Sequence, residues 1–206
     1  MDKFEKQIMA IKRSDLFKNN HFEGFLNPNN VNFENRILSK YVYKKRGLLE
    51  NDPNYKQPIV YTIVINPKIK KIFTFQRGNK NYNESRLKEK WSFGVGGHID
   101  LVDEQGNPIH NSLSRELKEE INLISLNKPI LAGYINTEEN EVDKVHFGIL
   151  YIIKTDLEEL QPTDAEMQQG KLITINQLEQ IYEQENMEEW SKISFPFLKE
   201  YLETLK

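Results

Sequence analysis

Between residues 109 and 121 the apolar side chains fall four apart. Ile109, Leu113, Leu117 and Ile121 form a single stripe when the segment is wound at about 100° per residue, which marks a helix with one face against a core. The same winding places Glu116, Glu119 and Glu120 within an arc of about 100° beside that stripe. Their carboxylates therefore converge at the edge of the buried surface. Glu116 and Glu120 are an i,i+4 like-charge pair and Glu116 and Glu119 an i,i+3 pair, each costing roughly a few tenths of a kcal/mol when nothing neutralises it. The helix dipole adds to the cost, because Glu119 and Glu120 stand near the negative end. A divalent cation reverses this balance, and hard oxygen donors suit Mg2+ or Mn2+. The alternative reading of the same residues is a solvated acidic face with Arg115 and Lys118 close by.

The rest of the chain reads as strands mixed with a few helices. Strands are expected over 7–12, 58–66, 72–77, 91–97, 129–136, 144–154 and 171–175. Phe33, Ile37, Leu38, Tyr41 and Val42 recur at helical spacing, and two helices are expected near the C-terminus, with Pro196 kinking or breaking the second. The stretch HFEGFLNPNN reads as loop. Such a pattern points to an α/β fold, a sandwich of helices around a mixed sheet. WSFGVGG (91–97) ends in two glycines just upstream of the glutamate helix, where only glycine lets the backbone approach a ligand closely.

With 206 residues the chain suits one globular domain with an extension. It contains no cysteine, which excludes disulfides, thiolate metal sites and a cysteine nucleophile, and fits a cytoplasmic location. The opening MDKFEKQIMAIKR is too charged for a signal peptide, and no apolar run reaches about 18 residues, so no membrane span is expected. Residues 125–206 carry 7 Lys/Arg against 16 Asp/Glu, a net of −9; the whole chain is −3, so the first 124 residues carry +6. The basic half can attract phosphate, while the acidic half argues against an extended nucleic-acid surface.

WSFGVGGHID followed by SRELKEEINL resembles the Nudix hydrolase family. Arg115-Glu116-Leu117-Lys118-Glu119-Glu120 matches the central hexad of that family's signature at every position. The resemblance covers roughly residues 58–185. It implies an α/β/α sandwich around a mixed sheet, with residues 1–57 as an N-terminal extension packed on the core and 58–206 as the hydrolase domain including the C-terminal helices. Two features depart from the family pattern. Asn122 stands where the family has glycine, at a helix stop where asparagine is the next-best residue for a left-handed backbone. The loop from Gly97 to Arg115 is four residues longer than usual, so the family's upstream glutamate position falls on Asn107 and the partner of Arg115 is open, with Asp100, Asp103 and Glu104 as substitutes.

The resemblance further implies roles. Glu119 and Glu120 bind Mg2+ or Mn2+, Glu116 binds metal or orients the attacking water, the Gly96 carbonyl is a further ligand, and Arg115 holds a glutamate in place. Glu166, in a later loop ahead of a strand, is placed to add a carboxylate, though it equally reads as an ordinary loop residue. The implied reaction is attack of water on the diphosphate of a nucleotide-like small molecule. Arg46, Tyr61, Arg77, Trp91 and His98 are the substrate-binding candidates, with Arg77 preferred over Arg86 as a diphosphate clamp. Trp91 also reads as a core residue opening a strand, and His146 as a satisfied strand histidine. Two other readings stay open beside the hydrolase: a catalytically silent nucleotide-binding module on the same fold, and an isoprenoid diphosphate isomerase, which the lack of cysteine disfavours. A homodimer paired through the N-terminal strand is a further expectation.

Overall fold

A computed structural model of the chain describes residues 2–78, 89–125, 127–184 and 186–205. Its elements are β1 (Gln7–Lys12), α1 (Arg13–Phe17), β2 (Gly24–Leu26), α2 (Phe33–Lys40), β3 (Val42–Lys45), α3 (Arg46–Leu49), β4 (Tyr55–Asn66), β5 (Lys71–Arg77), β6 (Trp91–Ser92), β7 (Gly94–Val95), α4 (Pro108–Ile121), β8 (Ile130–Asn136), α5 (Glu141–Val145), β9 (His146–Lys154), β10 (Met167–Thr174), α6 (Ile175–Glu183) and α7 (Glu189–Thr204). The fold is mixed α/β with one large sheet. Among the described residues no helix is long and apolar enough to cross a membrane.

The chain divides into two compact units, Met1–Tyr61, Gly96–Ser114 and Leu131–Tyr151 in one, Thr62–Val95, Arg115–Ile130 and Ile152–Lys206 in the other. Strands β4 and β9 and helix α4 contribute to both. In the first unit β1 pairs antiparallel with β3 (Ile8 opposite Lys44) and then with β4 (Ile11 opposite Lys56). Strand β2 pairs antiparallel with β8, Phe25 opposite Ile135. An aromatic cluster fills this unit: Phe33 lies 5.2 Å from Tyr134, 5.3 Å from Phe147 and 6.1 Å from Phe17 between ring centroids. Edge-to-face and tilted pairs of this kind add to the burial of the rings themselves.

The loop that lengthens the signature region serves this unit. Asp100 and Asp103 cap each other's backbone around a 3-10 turn at Leu101–Asp103. The Met9 N–H donates to the Ile99 carbonyl (2.8 Å) and Lys6 pairs with Asp100 (3.2 Å). The extra residues thus form the bed on which β1 lies. Asn107, at the family's glutamate position, accepts from the N–H groups of Ile109 (3.1 Å) and His110 (3.2 Å), the donors a helix start leaves unpaired.

In the second unit β5 folds back on β4 (Ile65 opposite Ile72) and β10 pairs antiparallel with β5 (Leu172 opposite Phe73). Short β7 lies on β4 and short β6 on β5. Here the rings of Tyr182 and Phe195 stack at 4.4 Å, joining α6 to α7.

Several expectations need correcting. The expected loop at HFEGFLNPNN contains strand β2. The expected strand 91–97 is two short pieces broken at Phe93, whose N–H donates to Ser191 Oγ (3.2 Å) instead of to a strand. Residues 144 and 145 close helix α5 before β9 begins. Strand β4 begins at Tyr55, three residues early, and β10 at Met167, four residues early. Pro196 lies inside an unbroken α7. A mid-helix proline costs about 3 kcal/mol, but Ser191, Ser194, Phe195 and Leu198 are all buried around it, and that anchored face holds the helix through.

Candidate active site

Helix α4 forms as its spacing requires: Ile109, Leu113, Leu117 and Ile121 are all at most 2% exposed. It ends at Asn122, whose φ of 53° is left-handed. The Asn122 N–H donates to the Lys118 carbonyl and the Leu123 N–H to the Leu117 carbonyl, each at 3.1 Å. The bond from Asn122 back to Lys118 is that of the αL helix stop, and asparagine fills the glycine position without difficulty.

Arg115, Glu116, Glu119 and Glu120 lie on the part of α4 that belongs to the second unit. Arg115 Nη1 donates to Glu116 Oε1 at 2.7 Å and to Glu119 Oε2 at 3.3 Å. One guanidinium therefore ties two of the three carboxylates, and the like-charge repulsion expected along this face is relieved by the arginine of the hexad itself. The Glu116 side chain is largely covered while that of Glu119 is open to solvent. Among the described residues no three His, Asp or Glu side chains gather in a group that could hold a metal ion.

The loop before β10 is fastened to this turn. The Thr163 hydroxyl donates to the Glu119 carbonyl (2.5 Å), and its N–H to the Glu120 carbonyl (2.7 Å). These carbonyls end a helix and have no partner within it. Three residues on, the Glu166 N–H donates to Asp164 Oδ1 (2.7 Å) and its carbonyl accepts from Gly78 (2.7 Å).

Gly78 follows Arg77, whose guanidinium does not stand open. Its Nε and Nη2 both lie 3.2 Å from Glu188 Oε2. Glu188 is buried and also accepts from Ser92 Oγ (2.5 Å). Trp91 sits beside this network: its N–H donates to the Asn186 carbonyl and its carbonyl accepts from Glu188, both at 2.9 Å. Arg86 lies outside the described residues.

The remaining candidates belong to the first unit. Gly96 has φ 146°, and a Cβ there would stand 2.0 Å from the Val60 carbonyl oxygen, so no other residue fits. Tyr61 is buried in β4. Arg46 Nε donates to Glu50 Oε1 at 2.7 Å. His98 Nε2 lies 2.8 Å from Gln57 Oε1 and 3.2 Å from His146 Nε2. His146 Nδ1 is 2.7 Å from the Val142 carbonyl, which can only accept, so Nδ1 carries the proton and Nε2 accepts from His98. Burial pushes the His146 imidazole below its ordinary pKa, which keeps it neutral.

Sequence reasoning missed Thr163 and Glu188, which no motif marks, and a polar cluster in the first unit. Lys56 is fully buried, its Nζ donating to the carbonyls of Asp143 (3.0 Å) and His146 (3.2 Å) and standing 3.7 Å from Glu138. Burial pulls the Lys56 ammonium down to about 8 against the opposing charge of Glu138. Burial pushes the Glu138 carboxyl up, but hydrogen bonds from His21 and Arg13 and the charge of Lys56 outweigh it and leave it at about 2.

No family model matches the sequence. The chain is 29% identical to the protein YmaB of Bacillus subtilis (strain 168) over 97% of its own length and 100% of that protein's. It is similar to the structure of Tm1382, described as a candidate Nudix hydrolase, with a TM-score of 0.78 and 27% identity over 95% of this chain and 100% of that one. The NUDIX domain of Shewanella oneidensis NrtR, complexed with ADP ribose, shares the fold at a TM-score of 0.55 and 14% identity, covering 71% of this chain and 88% of that one. The likeness to Tm1382 runs over almost the whole chain, and the complete Arg-Glu-Leu-Lys-Glu-Glu hexad lies on a helix that the fold builds as the sequence requires, so the chain is similar to Nudix hydrolases in both fold and signature.

Proposed function

We propose that the chain hydrolyses the diphosphate linkage of a nucleotide-like small molecule by attack of water, with Mg2+ or Mn2+ bound at the glutamates of α4. The observation that carries this reading is the fastening of the Thr163–Glu166 loop to the carbonyls of Glu119 and Glu120, which brings the backbone ahead of Glu166 to the turn bearing two signature carboxylates.

The donor set fits a hard divalent cation in kind, since every candidate is an oxygen. Glu116, Glu119 and Glu120 would hold it, with Glu166 and the Gly96 carbonyl as further donors. A bound cation supplies charge neutralisation on the phosphoryl oxygens and a lowered pKa for attacking water. The chain's own residues do the rest. Arg115 orients Glu116 and Glu119 and keeps their charges from driving the turn apart. Glu116, the more covered of the two, is the better placed to accept a proton from water. Arg77, held by Glu188, fixes the start of the segment that bonds Glu166, so its part is positioning as well as charge. Arg46, Tyr61, Trp91 and His98 remain the proposed substrate-side groups, and His98 has a donor direction set by its neutral neighbour His146.

Within this reading residues 1–57 serve as an extension to the hydrolase domain 58–206. The proposed substrate is a free small molecule in the cytoplasm, without an extended nucleic-acid surface, and the protein acts as a homodimer. The experiment is a panel of nucleoside diphosphate derivatives and triphosphates assayed with Mg2+ and with Mn2+, with Glu120→Gln as control. Metal-dependent release of a phosphate product that the variant loses is expected. A panel on which the wild type is inactive with both metals contradicts the proposal.

A further inference from the structure

We propose that Glu188 is a positioning residue for the loop that closes the glutamate helix. Its carboxylate, acting through Arg77 and Gly78, fixes where Glu166 stands. Its bearing on turnover rests on the hydrolase reading, whereas the placement is a property of the second unit, to which Arg77, Glu119, Glu120, Glu166 and Glu188 all belong.

The sheet holds this loop by a short stretch of ladder. Met167 lies opposite Arg77 and Gln168 opposite Gln76, the register then shifts, and pairing resumes with Lys171 opposite Thr74. Gln169, inside the shift, has a left-handed φ of 53°. A bulge of this kind disrupts the ladder locally and bends the strand. The loop-bearing end of β10 is thereby set off from the body of the strand and takes its position from the end of β5. There the Gly78 N–H donates to the Glu166 carbonyl at 2.7 Å. A Cβ at residue 78 would stand 3.2 Å from that oxygen and 3.3 Å from the Ala165 carbonyl oxygen, so glycine permits the close approach.

Glu188 fixes the end of β5. Its Oε2 accepts from Nε and Nη2 of Arg77, both at 3.2 Å, and its Oε1 accepts from Ser92 Oγ at 2.5 Å. The two oxygens thus have separate partners. The Glu188 backbone is tied as well, its N–H donating to the Trp91 carbonyl (2.9 Å) and its carbonyl accepting from Lys192 (3.0 Å) as α7 begins. The guanidinium, gripped through its fork, also lies 5.1 Å from the centroid of the Phe75 ring. A buried ion pair contributes little stability beyond that of well-packed apolar side chains of similar volume. What this pair supplies is a fixed place for the residue before Gly78. From Gly78 the path is short: one bond to Glu166, and three residues back the bonds of Thr163 to the carbonyls of Glu119 and Glu120.

The test is amide hydrogen exchange, followed by NMR on the full chain without metal or substrate, in wild type, Glu188→Gln, Arg77→Met, the double variant and Phe195→Leu. Glutamine keeps the side-chain size and an acceptor for Ser92, while Phe195→Leu loosens the stack with Tyr182 and reports what lost stability alone does. In Glu188→Gln the Gly78 and Thr163 amides are expected to exchange at least about tenfold faster relative to the buried amides of Val64 and Ile65, with no such local change in Phe195→Leu and no further change in the double variant over Arg77→Met. On a substrate that the wild type cleaves, kcat of Glu188→Gln falls about tenfold while KM stays within about twofold. The proposal is overturned by unchanged Gly78 and Thr163 exchange in both Glu188→Gln and Arg77→Met, by uniform acceleration of all amides, by the same local acceleration in Phe195→Leu, or by an unchanged kcat. A wild type that cleaves no substrate contradicts the hydrolase reading instead, and the exchange rates still decide the placement.

Discussion

The Thr163 hydroxyl donates to the Glu119 carbonyl across 2.5 Å, while its N–H donates to Glu120, so one residue of a distant loop closes the end of the glutamate helix. Thr163→Val keeps the side-chain shape and the N–H bond but removes the hydroxyl. A single neutral hydrogen bond contributes about 1 kcal/mol. The expected outcome is a stability loss of that size or less in urea unfolding, together with a fall in turnover larger than any change in KM, because the turn and the Glu166 loop move apart.

Asn122 holds a left-handed backbone at the helix stop. Glycine adopts that conformation without a Cβ penalty. Asn122→Gly is expected to leave stability unchanged or raise it by up to about 0.5 kcal/mol, and Asn122→Ala to lower it by about 1 kcal/mol. Chemical denaturation of the two variants side by side checks the order.

Glu188 is a buried carboxylate shared by Ser92 and Arg77. Removing one member of a buried ion pair costs about 3–5 kcal/mol. Glu188→Ala is expected to lose stability on that scale. The double variant Glu188→Ala with Arg77→Met should recover part of it, and a double-mutant cycle measures how much.

Lys56 gives a pH signature. Burial lowers its folded pKa to about 8 from the model-peptide value of 10.5. Between those values the unfolded chain binds more protons at this site than the folded one, so stability from this group rises with pH across that window. Urea unfolding at pH 7.5 and 10 should show wild type gaining relative to Lys56→Met as pH rises. A constant difference between the two proteins argues that Lys56 titrates normally.

The glutamate helix was legible because its spacing is a local property: four-residue periodicity, a left-handed stop at Asn122 and a complete hexad all lie within one segment. Strands β1, β4 and β5 were legible for the same reason. What escaped depends on partners far along the chain. Strand β2 is three residues long and exists only because β8 offers an edge. Pro196 sits in a continuous helix because four neighbours are buried. Arg77 read as an open clamp, since nothing in its own segment announces Glu188, 111 positions away. The bonds from Arg115 to Glu116 and Glu119 on its own helix were not foreseen, because attention went to the long loop. Asp100 and Asp103 of that loop also cap their own turn, and Asp100 receives Lys6.

The central claim is that the carboxylates of α4 support metal-dependent cleavage of a diphosphate. It is tested most directly by following 31P resonances of nucleoside diphosphate derivatives with purified protein, Mg2+ or Mn2+, and Glu120→Gln in parallel. The account predicts conversion of the diphosphate signals to monophosphate signals by the wild type, none in EDTA, and a loss of at least about a hundredfold in kcat/KM in the variant, equivalent to roughly 2.7 kcal/mol of transition-state stabilisation. Equal rates in wild type and Glu120→Gln would contradict it.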